Sequence, residues 1–464
     1  MRMVDHLAPG VTAVTPHGRY YAVHGLIAAH AQDVGLEALE AQRLLRRAEV
    51  VLAAVSYAHH PQGVDWLPRA HGLDALARRL HAGSVDVTEA MLPGKDGYVR
   101  NSWGFWGPYA GSEITLGILS PGQMPTPGPR LDESAVCAGL VGLLELAEVD
   151  QLQVGDLASV GDMLCVCAGG NQPDGAWLAD LMCSPPAPGE TSARSATRRQ
   201  TIQLLARVVD THPVASFTRD IGHVLSFGDF LTTDTVTSGI DAAAAWRGVV
   251  LRNHAVGAWR RLWSWLVEQC EGLMPIDDLA ETFAQELPDT TVAAFLDCLP
   301  ATESTSGAPL PAEYDLRWSE VSLPVAALGI LAVGARRVDE LTGRVRDAFL
   351  GQRGVELGPE WVQRRLEEAR PLRLRDVGRE LTRDLVSRSQ RIALAKARRR
   401  PDGSLWLPTR LHVRDEFVHR TSQEGRGDVG LRLDQLGSVL ASCGVLSRHD
   451  DHWSLTSRGR ALVG

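Results

Sequence analysis

Lysine is almost missing from this 464-residue chain: Lys95 and Lys396 are the only two among 47 basic residues. A P-loop needs a lysine behind a glycine-rich turn, so that backbone amides and the ammonium group together cradle phosphates. Lys95 stands in "LPGKDGY" without the upstream glycine, and Lys396 in "ALAKARRR" has no glycine near it. Nuclease-type sites built on a lysine beside carboxylates or histidine lack a suitable lysine too. A Gly-x-Ser-x-Gly elbow, a His-Glu-x-x-His helix and paired Cys-x-x-Cys knuckles are also missing. These signature-bearing enzyme classes are disfavoured, and no catalytic residue is assigned. Arginine dominance beside abundant Ala, Gly, Val and Leu fits a GC-rich bacterial genome, so it is weak evidence for phosphate binding.

Long apolar runs are missing as well. None reaches the roughly 18 residues of a membrane helix, and "MRMVDHLAPG" has no apolar core to act as a signal peptide. No membrane partner is expected. Seven cysteines, an odd number without framework spacing, fit a reducing cytoplasm. With 44% hydrophobic and 22% charged residues the composition is that of a soluble globular protein, and the length suggests two to four domains.

What is present reads as mainly α. Two stretches rich in Pro, Gly, Ser and Thr, 184–196 and 301–313, read as linkers. They divide the chain into an N-terminal helical domain over 1–183, a middle helical domain over 197–300, and a C-terminal part. Apolar spacing predicts helices over 35–60, stopping at Pro61, and over 241–270, with Trp259 and Trp263 one turn apart. The aromatic, glycine-rich segment 97–131 reads instead as loop and short strand. Its Trp103, Phe105, Trp106 and Tyr109 either stack on bases or, the favoured reading, plug a helical core.

"VTPHGRYYAVHGLIAAHA", residues 14–31, packs histidines, an arginine and tyrosines into a buried-helix pattern. Thr15 suits the N-cap and Pro16 the first helical position. His17 and His24 share a face, but no third ligand or orienting carboxylate lies within the next turn. Arg19, Tyr20, Tyr21 and His24 are candidates for a phosphate or partner site, with structural trim favoured. His59 and His60 can either supply partners across the fold or stabilise a helix C-terminus. Cys165 and Cys167 would point the same way from a strand, with Cys183 further on. Their surroundings are apolar and no histidine is adjacent in sequence, so they read as buried hydrophobes. No metal ligand and no cofactor are assigned.

The C-terminal stretch "LRLDQLGSVLASCGVLSRHDDHWSLTSRGRALVG", 431–464, is more specific. Leu433, Leu436, Val439 and Leu440 have helical spacing, Gly444 suits the position after a helix, and "VLSR" and "HWSLT" flank a polar turn. Thr456 caps a last helix. Helix, hairpin and helix in this order, with "CGVLSR" and "WSLTSRGRAL", resemble the winged helix of bacterial transcription regulators. That resemblance implies a winged-helix domain over 401–464, behind a helical region over 314–400. By position it places Arg432, Gln435 and Ser438 at base edges and Arg448 and Arg458 at phosphates of double-stranded DNA. Asp450 and Asp451 at the hairpin tip depart from it, since a wing entering a groove wants Arg or Lys. A protein-docking role for the module therefore stays open.

Charge layout returns the balance to DNA. Residues 360–464 hold 21 Lys and Arg against 14 Asp and Glu, a net of +7; the whole chain is −9, which leaves −16 for residues 1–359. In 370–400, Arg375, Arg379 and Arg383 have carboxylates for partners one turn away, the pattern of a solvated helix. Arg388, Arg391, Lys396, Arg398, Arg399 and Arg400 have few acidic neighbours in sequence and form the candidate phosphate-binding patch. An internal echo, "LGILSPGQMPTPGPRL" at 116–131, suggests a second, degenerate winged helix ending near 140. The order "GRYY", "WGFWGPYAG", "LGIL", "TPGPRL" loosely resembles uncharacterised bacterial proteins of phage-defence gene clusters, which implies an accessory component acting with other protein subunits. The leading expectation is a DNA-binding or adaptor protein. A protein-interaction scaffold, and a hydrolase built on His17, Arg19, His24 and His59–His60, are the alternatives.

Overall fold

The computed structural model describes residues 2–94, 97–184, 193–316, 321–351, 356–425, 429–449 and 451–463. Lys95, Asp450 and most of the expected linker 184–196 lie outside the described residues. The chain is mainly α-helical with small antiparallel strand pairs. None of the described helices is long and apolar enough to cross a membrane. Two units are distinguished: residues 1–222, 234–243 and 430–464 form the first, and 223–233 with 244–429 form the second. These boundaries do not fall at the composition-based linkers. The 301–313 stretch is a closed loop in which Leu310 N donates to Thr302 O at 2.8 Å. Buried Arg337 donates to Thr302 O and Leu310 O and pairs with Glu313 at 2.7 Å. Polar composition marks a loop but not which cores the loop joins.

In the first unit, helix Gly18–Val34 is enclosed along most of its length. Its small residues permit this: a Cβ on Gly25 would meet Leu131 at 2.6 Å, and one on Gly18 would meet Ser442 at 2.9 Å. An apolar pattern running all round a helix is that of a buried one. The helix begins two residues later than the sequence suggests, with His17 at the N-cap, because Thr15 Oγ1 is occupied by Thr12 N at 2.8 Å. Helix Ala38–His59 follows, opened by a capping box between Glu37 and Glu40 and ended before Pro61. It buries Leu45, Leu52 and Val55 completely, each contributing about 1.5–3 kcal/mol.

The 97–131 segment departs from the loop-and-strand expectation. Trp106–Leu116 is helical, Trp106 and Tyr109 are buried, and Gly117 ends the helix with φ 77°. Apolar burial overrides the glycines and proline here, because Gly107 and Pro108 fall in the first turn, where a missing N–H costs little. A single bridge, Leu119 with Pro127, and helix Glu133–Gly139 come next. At the C-terminus helix Leu433–Ser442 leads into strands Leu446–His449 and His452–Leu455 and helix Ser457–Val463. Gly444 has φ 72°, and Thr456 Oγ1 accepts from Gly459 N at 2.9 Å. The element order read from the sequence is the one found.

The second unit contains most of the long helix Asp241–Gln269. Its core gathers Leu262, Leu266, Phe283, Leu331 and Val418. Helix Ile276–Glu286 packs against helix Leu374–Ala395 at Gly378, where a Cβ would meet Leu287 at 2.6 Å. Leu273–Pro275, Phe417–Arg420 and Leu411–Arg414 form a three-stranded antiparallel sheet with Phe417–Arg420 in the middle.

Candidate nucleic-acid interface

The basic helix Leu374–Ala395 buries Leu374, Leu381, Leu385 and Val386 on one face, which turns its arginines outward. Most of these arginines have partners. Arg379 meets Glu281 and Asp376, each at 2.6 Å, Arg383 meets Asp277 at 2.8 Å, and Arg375 donates to Leu287 O at 2.9 Å. Glu380 and Asp384 pair with Arg365. Arg388 and Arg391 also differ from the expectation of few acidic neighbours, for both pair with Glu356. That carboxylate lies more than thirty residues away in sequence and reaches them only through the fold.

Past the helix, the basic residues are exposed. Lys396, Arg398, Arg399 and Arg400 are all on the surface, and no ion pair joins them to a carboxylate among the described residues. Arg398–Arg399 pairs antiparallel with Leu405–Trp406, Arg398 opposite Trp406. The turn "PDGS" closes this hairpin: Gly403 has φ 81°, Arg400 N donates to Ser404 O at 2.8 Å, and Asp402 accepts from Ser404 N at 2.9 Å. Successive strand side chains point to opposite faces, so Arg398 and Arg399 present charge on both sides of the ribbon.

Trp406, 41% exposed, also lines a groove of about 880 Å³. Trp259 and Trp263 from the long helix form another wall, and Arg260, Arg388 and Arg410 border it. Trp259 Nε1 donates to Leu357 O at 2.9 Å, which fixes its ring, and Arg410 is held by Glu424 at 3.0 Å. The arrangement offers flat aromatic faces beside guanidinium groups, next to exposed positive charge. It suits anionic ligands that carry planar rings.

The residues assigned by the winged-helix resemblance lie differently. Arg432 is 8% exposed; its NH1 donates to Val11 O at 3.0 Å and its NH2 pairs with Asp5. Ser438 is buried and donates to Trp66 O at 3.2 Å. Gln435 is half-buried. Arg448 is held by Asp451 at 3.2 Å, and Arg458 NH1 donates to Gly170 O and Cys443 O. Arg432 and Ser438 thus face protein rather than base edges. Helix Leu433–Ser442 is buried on nearly every side, because its apolar residues outnumber those one face can hold.

The opening histidine stretch is also interior. Arg19, Tyr20, Tyr21 and His24 are all 1% exposed or less. Arg19 pairs with Asp174 at 2.7 Å and donates to Gly139 O, Tyr21 Oη donates to Gly10 O at 2.8 Å, and Tyr20 Oη accepts from His71 N at 3.1 Å. His24 lies between two carboxylates, Nδ1 2.6 Å from Glu113 and Nε2 3.2 Å from Glu49. Glu49 further accepts from Phe105 N and Tyr98 Oη. Burial opposes charge on His24, but Glu113 and Glu49 outweigh it and raise its pKa to about 9. Burial likewise raises the Glu113 carboxyl, against the pull of His24. His71 is lowered to about 4 by burial and by His24, and His17 well below its ordinary value by burial and then by His71. This is a buried polar network, closed to a phosphate or a partner surface.

No family model matches the chain, and neither a curated protein nor a solved structure matches it.

Glu49, Glu113 and Asp174 as partners, and the Trp406 groove, are not among the features the sequence points to. The first three have no local signal. The hairpin does have one, since "RRRPDGSLW" is two short runs around a Pro-Asp-Gly turn.

Proposed function

We propose that this chain binds DNA through the second unit, the hairpin 398–406 contacting phosphates and the adjoining groove receiving unpaired bases. One observation carries the reading: the strand bearing Arg398 and Arg399, which have no ion pair among the described residues, is hydrogen-bonded to the strand whose Trp406 lines an aromatic and arginine-bordered groove. Phosphate contact supplies affinity, and stacking on tryptophan tolerates any base, so the expected binding is salt-dependent and weakly sequence-selective. An accessory or adaptor role in bacterial phage defence agrees with such binding and rests on the sequence resemblance alone. Photo-crosslinking of the full chain to labelled duplex and single-stranded DNA, followed by peptide mapping, tests the assignment. Adducts in 396–410 support it. Adducts confined to 432–458 would move the contact to the C-terminal module.

A protein-docking scaffold is the second reading. It is favoured by Leu394 and Leu405, 55% and 59% exposed beside the same hairpin. Intact complex formation without DNA binding would select it.

A further inference from the structure

Helix Ala38–His59 ends with two consecutive histidines, and His60 N closes the last turn on Ser56 O at 3.0 Å. More than a hundred residues later, the short helix Gly161–Leu164 turns into a loop carrying Cys165 and Cys167. The sequence gives no reason to join these segments, but the fold does. Ser56 Oγ accepts from Val166 N at 3.1 Å, between the two cysteines. A Cβ on Gly161 would meet the His59 ring at 2.4 Å, so glycine lets this helix close on the histidine.

Contact between these segments gathers four donors. The ligand atoms of His59, His60, Cys165 and Cys167 all lie within 4.8 Å of one another. Cys165 Sγ and Cys167 Sγ are 3.0 Å apart, both as free cysteines, and Cys167 Sγ is 3.9 Å from His59 Nδ1. The two imidazole rings have centroids 4.1 Å apart. A tetrahedral zinc ion with Zn–S near 2.3 Å and Zn–N near 2.0 Å has donor-to-donor edges of roughly 3.3–3.8 Å. The cluster brackets those edges, and modest separation of the two sulfurs would admit the ion.

We propose that His59, His60, Cys165 and Cys167 form a structural zinc site. Two cysteines and two histidines make a closed tetrahedral donor set that favours zinc over magnesium or calcium, which prefer oxygen. Binding releases the two thiol protons to solvent, and the two thiolates balance the charge of the ion. Asp162 lies close to the far nitrogen: its Oδ1 is 3.2 Å from His59 Nε2, within ion-pair reach. A carboxylate on the far nitrogen of a ligating histidine is the usual orienting partner. Cys165 is buried, whereas His59, His60 and Cys167 are half-buried, leaving a path for the ion. The ion would pin the loop whose continuation meets the C-terminal module, where Gly170 O accepts from Arg458 at 2.8 Å.

Metal analysis and cobalt substitution of the full chain, purified under reductant, test this site. The expected result is a single zinc ion per chain. Cobalt(II) should give the structured visible absorption of a tetrahedral centre together with a thiolate-to-cobalt charge-transfer band. The C165S/C167S variant should lose both, and Cys137→Ser, an exposed cysteine elsewhere, should keep both. Asp162→Asn should leave the cobalt spectrum in place and weaken zinc about 10- to 100-fold in chelator competition. Background zinc after anaerobic reconstitution, a cobalt spectrum without the thiolate band, or metal retained by the double variant would overturn the proposal. A Cys165–Cys167 disulfide in reduced preparations would do the same. The cobalt spectrum of the unsubstituted chain decides the matter even where a variant fails to fold.

Discussion

Arg19 and Asp174 meet at 2.7 Å with 1% and 2% of their side chains exposed, joining segments 155 residues apart. Removing either partner leaves a buried charge without its counter-ion, which typically costs about 3–5 kcal/mol. Asp174→Ala and Arg19→Ala are each expected to lower the urea midpoint of the full chain accordingly. Arg19→Met with Asp174→Ala should cost less than the two single losses added together. A loss below about 1 kcal/mol for Asp174→Ala would show that the pair does not hold the first unit together.

The His24 network makes stability depend on pH in two limbs. The pKa of His24, raised to about 9 from 6.5, means its stabilisation is fully present below about 6.5 and is lost as pH rises through 9. The difference corresponds to about 3 kcal/mol. Glu113, raised as well, acts with the same sign. His71, lowered to about 4, contributes stability above 6.5 that is lost as pH falls through 4. Denaturant titrations from pH 4 to 9 should show both losses. His24→Gln should flatten the alkaline limb and His71→Phe the acid one.

Trp406 is exposed enough for its removal to spare the fold. Trp406→Ala should weaken single-stranded DNA by about 1–3 kcal/mol while leaving the thermal midpoint nearly unchanged. Equal affinity in the variant would remove the groove from the interface.

Arg432 has the opposite profile. Arg432→Ala should lower stability by about 1–3 kcal/mol, because it strips a donor from Val11 O and a charge partner from Asp5. DNA affinity should stay within about twofold. Parallel denaturation and anisotropy measurements separate the two effects.

The features legible in the sequence were local. The helices over 38–59 and 241–269 follow from apolar spacing, and the C-terminal helix, hairpin and helix follow from Gly444, Thr456 and the polar turn between two short strands. The illegible features depend on distant partners. Arg19 finds Asp174, His24 finds Glu113, Arg388 finds Glu356, and His59 finds Cys167, each across at least 32 residues. Helical periodicity identifies a buried face but does not say which charge from another segment will meet it. The arginines at 432 and 458 looked available for DNA for that reason, and both are held by backbone carbonyls.

The most direct test of the account is the salt dependence of DNA binding by the full chain, with and without Arg398→Ala, Arg399→Ala and Arg400→Ala together. Log affinity should fall linearly with log salt, and the triple variant should flatten the slope by roughly 2–3 on duplex DNA, about 0.9 for each lost phosphate contact. An unchanged slope in the triple variant, or no binding by the unsubstituted chain at low salt, would contradict the assignment of this hairpin to DNA.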